Sequence, residues 1–351
     1  MNYIGRKYSL LDFLETEILK RIPKTCKVFF DVFAGTGVVG WHFKQRGFRV
    51  VANDIQYYAY CLNRALVCVN RLPGFVRLSS NPRRPAAERL NAVLESLNRL
   101  PGQEGFVFNH YCQGGQSASG RMYFSDDNGR RCDAIRSTIE TWWIQEKLSR
   151  SEYYYLLACL IDAMDRVANT ASVYAAYLKH IKKSARKALW LTPLPIVHSS
   201  ERHRVHNRDG LRLVSRVPCD VLYMDPPYNH RQYCTNYHVL ETIAQNDSPK
   251  IYGVTGLRPY EDQKSAFSLK RQALGALDTM VAKARARFVF LSYNSEGIIG
   301  KETILDTLFK YGSVDLVTRD YGRFRADVDR ENRVYKADRV EEYLFCLQKH
   351  G

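Results

Sequence analysis

The sequence predicts an α/β fold of the doubly wound type, with a mainly parallel sheet and a long, largely helical insertion. Three observations carry this. First, Val28 to Phe33, Phe48 to Ala52, Val221 to Met224 and Phe288 to Tyr293 are apolar runs without polar alternation. Such runs suit strands covered on both faces, as in parallel sheets. Second, stretches with helical periodicity separate them at both ends of the chain. Third, two runs stop abruptly, one at Ala34-Gly35-Thr36-Gly37 and the other at Asp225-Pro226-Pro227-Tyr228. Open α/β sheets bind ligands at the carboxyl ends of their strands, where both turns fall.

Composition narrows the class. The chain has 351 residues, enough for one large α/β domain with an insertion. Its net charge of +16 points to a polyanionic partner, most simply nucleic acid. Nine cysteines are scattered without a CxxC pair or His/Cys ligand spacing, so no metal site is expected. An odd number of dispersed thiols fits a reduced, cytoplasmic chain of prokaryotic type. The first residues, MNYIGRKYSL, lack an apolar signal core, and no run is long enough to span a membrane.

The elements follow in order. Leu10, Leu11, Leu14, Ile18 and Leu19 share one face of a first helix, with Ser9 as its cap and Tyr3 and Lys7 in the loop before it. The run Val28 to Phe33, the glycine turn, a helix from Val38 and a second strand ending at Asn53-Asp54 form a β-turn-α-β unit. An acid lies about twenty residues beyond the glycines. Glycines let backbone approach a ligand, and the acid suits ribose hydroxyls. The spacing is not GxGxxG. With Asp31 on the preceding strand, the FxGxG turn suits S-adenosylmethionine better than a dinucleotide. A helix spans 56–70. From Arg71 to His206 the alternation lapses. Helices are expected at 85–99, 132–147, 150–169 and 172–187, with a polar, glycine-rich stretch at 109–131. Arginines and lysines interleaved with Tyr111, Tyr123, Phe124 and Trp142 suit phosphate and base contact here. The α/β pattern resumes at 205, with Asn207 and Asp209 after a short strand. Helices 237–245, 266–286 and 301–311 and strands at 288–293, 314–317 and 342–347 complete the chain. The charges of the loop 319–339 can pair among themselves.

The Asp-Pro-Pro-Tyr turn is suited to holding an exocyclic amino group. The Asp225 carboxylate and Pro226 carbonyl accept from the NH₂, Pro227 stiffens the turn, and Tyr228 stacks on a base taken out of its helix. Alignment with an electrophilic methyl then matters more than a strong base. The strand-end turn carries Pro-Pro and no Pro-Cys nucleophile, which argues against attack on cytosine C5; the Pro218-Cys219 pair lies before the apolar run and not after it.

In motif order, the chain resembles the adenine-specific DNA methyltransferases of the N6-adenine, D12 or alpha class, of the kind found in type II restriction-modification systems. Tyr3-Ile4-Gly5-Arg6-Lys7 resembles the N-terminal cofactor segment. Asp31-Val32-Phe33-Ala34-Gly35-Thr36-Gly37 resembles the FxGxG motif, Asp54 the ribose acid, and Asp225-Pro226-Pro227-Tyr228 the catalytic tetrad. The resemblance implies a seven-stranded Rossmann-like methyltransferase sheet. It implies a catalytic domain of residues 1–70 and 205–351 and a target-recognition insertion of residues 71–204. It implies S-adenosylmethionine held by Tyr3, Lys7, Asp31, Phe33, Gly35, Gly37, Asp54 and Ile55, with Asp209 a further candidate. It also implies double-stranded DNA as substrate, adenine held by Asp225, Pro226, Pro227 and Tyr228, and a functional pairing with a restriction endonuclease. N4 methylation of cytosine and an inactive DNA-binding relative are the alternatives.

Overall fold

The computed structural model describes residues 7–117, 120–322 and 339–350. Along the chain run helices α1 (Leu11–Arg21), α2 (Val38–Gln45), α3 (Tyr57–Leu66), α4 (Ala86–Asn98), α5 (Phe106–Tyr111), α6 (Asp126–Ile144) and α7 (Arg150–Arg166). They continue as α8 (Gly210–Leu213), α9 (Tyr233–Asn236), α10 (His238–Gln245), α11 (Ala273–Lys283) and α12 (Lys301–Phe309). The strands are β1 (Val28–Asp31), β2 (Arg49–Asn53), β3 (Arg204–His206), β4 (Cys219–Met224), β5 (Ala286–Asn294), β6 (Gly312–Gly322) and β7 (Arg339–Lys349).

The chain divides into two compact units. One comprises residues 7–55, 201–233 and 261–350 and contains the sheet. Its seven strands lie in the order β3-β2-β1-β4-β5-β7-β6. The pairs from β3 to β5 are parallel, while β7 runs antiparallel between β5 and β6. This is the Rossmann-like methyltransferase sheet expected from the sequence. Phe29, Phe30, Val221 and Leu222 are fully buried, which explains runs with no polar alternation. On one face Phe30, Val32, Leu222 and Met224 pack with Leu277, Met280 and Ile304 from α11 and α12. Burying a side chain of this size contributes about 1.5–3 kcal/mol.

The other unit comprises residues 56–200 and 234–260. Thus α3 and the segment after residue 234 pack with the insertion, whereas the sequence pattern places them with the sheet. A buried carboxylate explains the attachment. Glu241 on α10 accepts hydrogen bonds from the Tyr57 and Tyr58 amides, at 3.0 and 2.8 Å. These are orphan donors at the start of α3, and an anion there also suits the helix dipole. Tyr58 and Tyr237 pack ring against ring beside it.

Three other local expectations are corrected. The helix expected over 172–187 is reduced to a 3-10 turn at Lys183–Arg186. The buried Asn169 takes its place: its amide donates to Met122 and Leu178 carbonyls and accepts from the Lys182 amide. Side-chain bonds of this kind compete with the helical ladder. Helix α6 starts at Asp126, inside the glycine-rich stretch, capped by Ser125. Gly129 is not a breaker there; a Cβ on it would meet Cys112 Sγ at 2.2 Å, so it lets the segment from α5 lie close. At the amino end, Lys7–Leu10 form a 3-10 turn and α1 begins at Leu11, not behind a Ser9 cap. Lys7 is therefore a buried residue of a turn and not a free loop residue.

Candidate active site

The site is assembled at the carboxyl ends of β1, β2 and β4 within the sheet unit. After β1, the Val32 amide donates to the Tyr223 carbonyl of β4, and the Ala34 amide to the Asn53 carbonyl of β2. The chain then turns through Gly35 (φ 50°) and Gly37 (φ 81°) into α2. Both glycines adopt the left-handed conformation that other residues resist. The Gly35 amide donates to the Asp54 carboxylate at 2.8 Å, so the glycine turn and the acid are tied together. Asn207 fixes the same corner, donating to the Asp54 and Ile55 carbonyls at 2.8 and 2.9 Å. Phe33 packs edge-on against Phe267, at 5.2 Å between centroids.

Asp31, the last residue of β1, is 1% exposed. Neither of its carboxylate oxygens has a hydrogen-bond partner among the described residues. Burial pushes its pKa well up, as do the neighbouring Asp225 and Asp54 charges; the Gly40 and Phe33 amides pull the other way. Those two amides face the carboxylate without meeting hydrogen-bond geometry, and a buried carboxylate without a full hydrogen bond is costly unless a cation or donor reaches it. The corner therefore fits a cationic ligand.

At the end of β4, Asp225 stands beside Lys7. Lys7 Nζ lies 3.3 Å from Asp225 Oδ1 and 3.3 Å from Glu342 Oε2, with the lysine side chain 5% exposed. The Asp225 pKa is raised to about 6: burial lifts it most, Lys7 opposes and Glu342 adds to the rise. The lysine moves up in turn: burial opposes its charge, but Asp225 and Glu342 outweigh that. Tyr228 is held by its own backbone, its carbonyl accepting from the Ile298 amide at 2.9 Å, and its ring meets Tyr293 edge-on at 6.2 Å. Burial raises its hydroxyl pKa, with Lys7 opposing.

The structure thus brings together Lys7, Asp31, Asp54 and Asp225 electrostatically, with Gly35 and Gly37 in one turn and Tyr228 on the Asp225 turn. Asp209 does something more local. Its carboxylate caps α8, accepting from the Leu211 amide at 2.9 Å. Tyr3 lies outside the described residues, as does most of the loop 319–339. Sequence reasoning missed Glu342. In the sequence it only opens a last apolar run. Because β7 is antiparallel, pairing Glu342 with Asn294, its first residues lie where β5 ends. The strand's direction was the missing signal.

Among the described residues, no group of three or more His, Cys, Asp or Glu is placed to hold a metal ion. No helix among them is long and apolar enough to cross a membrane.

The sheet order and the strand-end site define a methyltransferase of the Rossmann-like α/β class. Comparison with known families makes this specific. The model of the D12 class N6 adenine-specific DNA methyltransferases matches residues 3–306, and the chain belongs to that family. It is 41% identical to the type II methyltransferase M.NlaIII of Neisseria lactamica, over 99% of both chains. It is 34% identical to the type II methyltransferase M.CviAII of Paramecium bursaria Chlorella virus 1, over 99% of this chain and 98% of the relative. Identity to M.FokI of Planomicrobium okeanokoites is 36% over 99% of this chain, which spans 53% of that longer protein. Adenine-specific DNA methylation, expected from the motifs, is thereby the activity of the family.

Proposed function

We propose that this chain transfers a methyl group from S-adenosylmethionine to adenine N6 within one short sequence of double-stranded DNA, as the modification partner of a restriction endonuclease. The observation that carries the reading is the orphaned, buried Asp31 carboxylate beside the Gly35–Asp54 clasp, one strand away from an Asp225 that is largely buried and paired to Lys7. S-adenosylmethionine carries an ammonium and a sulfonium, which answer that cluster of acids, and ribose hydroxyls, which suit Asp54. Gly35, Gly37, Phe33 and Ile55 would line its path. When bound, it supplies an electrophilic methyl on sulfur.

The protein's own groups do the rest. Asp225 and the Pro226 carbonyl accept hydrogen bonds from the adenine amino group and fix its lone pair in line with the methyl. Tyr228 stacks on the extruded base. Held at the Asp31–Asp54 corner, S-adenosylmethionine would supply the methyl to the nitrogen, its sulfur keeping the bonding pair. The nitrogen then sheds a proton, for which Asp225, with a pKa of about 6, is a nearby acceptor. The largely helical unit, 56–200 and 234–260, is assigned target recognition, because exposed basic residues such as Arg83, Arg84, Lys179, Lys183 and Lys187 suit phosphates; Tyr111, Tyr123 and Phe124, expected to meet bases, are fully buried and belong to its core instead.

The test is transfer of labelled methyl from S-adenosylmethionine to unmethylated genomic DNA, followed by nucleoside analysis and methylation-aware sequencing. N6-methyladenine in one recurring sequence is the expected result. N4-methylcytosine, or label only in RNA or protein, overturns it.

A further inference from the structure

The sheet unit carries a second charged feature, whose upper end meets the proposed cofactor corner at Ile55 and Asn207 and whose arginines the reaction does not use. An open groove of about 1250 Å³ runs along β2 and β3, the outermost strands on that side. Its floor is apolar, formed by Val28, Val51, Leu213 and Val217. Its walls carry seven basic residues against three acids. Two of the acids are already committed: Asp209 pairs with Arg212 at 3.7 Å, and Glu261 with Lys264. Arg49, Arg202, Arg204, Arg208 and Arg216 are all exposed, and their side chains make no ion pair or hydrogen bond with any described residue. Only Asp262 is left to oppose these five. The field is felt locally: the His206 imidazole is held below its usual pKa by burial, then by Arg204 and Arg208.

Arg204 opens β3 and lies opposite Val51 in the parallel register, and Arg202 stands two residues before the strand. Unpaired guanidiniums in a row, each a planar fork of donors, suit a row of phosphates. Arg49 opens β2 and Asp54 follows its end, a separation of about 17 Å along the strand at ~3.3 Å per residue. Arg49 therefore lies down the strand from the reaction centre, whereas Arg208 follows the carboxyl end of β3, where its carbonyl accepts from Asn53.

We infer that this groove is a second DNA-binding surface, holding the phosphodiester backbone of duplex outside the methylated site. The inference rests on the proposed activity on DNA, and it accounts for part of the basic excess apart from the helical unit.

The test uses the full chain carrying R49A, R202A, R204A and R216A together, with thermal melting to confirm the fold. Binding to duplex of several hundred base pairs is titrated against salt. Removing one arginine–phosphate pair lowers the slope of log affinity against log salt by about 0.9, so four arginines predict a fall of about 3–4 and at least a tenfold weaker affinity. Methyl transfer to a duplex of about 14 base pairs centred on the methylated site is expected to stay within twofold of the parent. An unchanged slope overturns the inference, and so does an equal loss on the short duplex, which would place the arginines at the target. A changed association with a protein partner but unchanged DNA binding also overturns it. If the parent itself methylates no DNA, the proposed activity fails first, and that result is separable.

Discussion

Replacing Glu342 with glutamine tests the charge cluster most directly. Two carboxylates share Lys7 Nζ at 3.3 Å each, so their nearest oxygens are at most about 6.6 Å apart. At an effective dielectric of about 20, unit charges at that distance repel by about 2.5 kcal/mol; at 40, by about 1.3. One pKa unit corresponds to about 1.4 kcal/mol. Glu342 therefore raises the Asp225 pKa by about one to two units, in the direction the structure gives. In the parent, Asp225 must be ionised to accept from the adenine amino group, so kcat/KM falls as pH drops below about 6. In Glu342→Gln that acid limb moves down, to between about pH 4 and 5. The variant also leaves Lys7 wholly to Asp225, where it competes with the incoming amino group, so the plateau at pH 8 drops as well. The assay is methyl transfer under kcat/KM conditions from pH 4.5 to 8, with circular dichroism at each pH. An acid limb that stays near 6 in a folded variant refutes the electrostatic account of Glu342, whatever happens to the plateau.

Asp225→Ala is expected to lower methyl transfer at least a thousandfold while S-adenosylmethionine still binds; full activity would remove Asp225 from the chemistry. Asp54→Ala removes the acceptor of the Gly35 amide and the ribose acid together, and calorimetry should show cofactor binding weakened at least tenfold. Asp31→Asn should raise the melting temperature of the free protein at pH 8 and weaken cofactor binding. Because the Asp31 pKa is raised on folding, its contribution to stability is present at low pH and lost as pH rises through the folded value. In the asparagine variant that pH dependence should flatten. Glu241→Ala leaves two α3 amides without their acceptor and should cost about 2–4 kcal/mol in denaturant unfolding; a loss under about 0.5 kcal/mol would mean water replaces the clasp.

The parts of the fold set by unbroken apolar runs were legible in the sequence. Strands β1, β2, β4 and β5 fall where those runs lie, and the turns at Gly35 and Asp225 end two of them. The parts set by long-range polar contacts were not. Asn169 converts an apparent helix into a looped segment through three side-chain bonds, and nothing in its immediate neighbours announces that. Gly129 reads as a breaker until its neighbour Cys112 is known. Asp31, Asp54 and Asp225 were identifiable from position at strand ends. Glu342 was not, because a residue at the start of a strand reaches the site only if that strand runs backwards.

The reversed course of β7 also sets the order in which the site can exist. The Lys7–Glu342 bond joins residues 335 positions apart, near the two ends of the described chain. As the chain emerges during synthesis, Lys7 appears long before Glu342. Until Asp225 is made Lys7 lacks both of its countercharges, and from then until Glu342 follows it lacks one. A chain that stops short of β7 contains the residues of the glycine turn and the Asp225 turn, yet lacks the Glu342 that completes the charge cluster. The reaction centre is thus closed by its final strand, and premature products carry no finished copy of it.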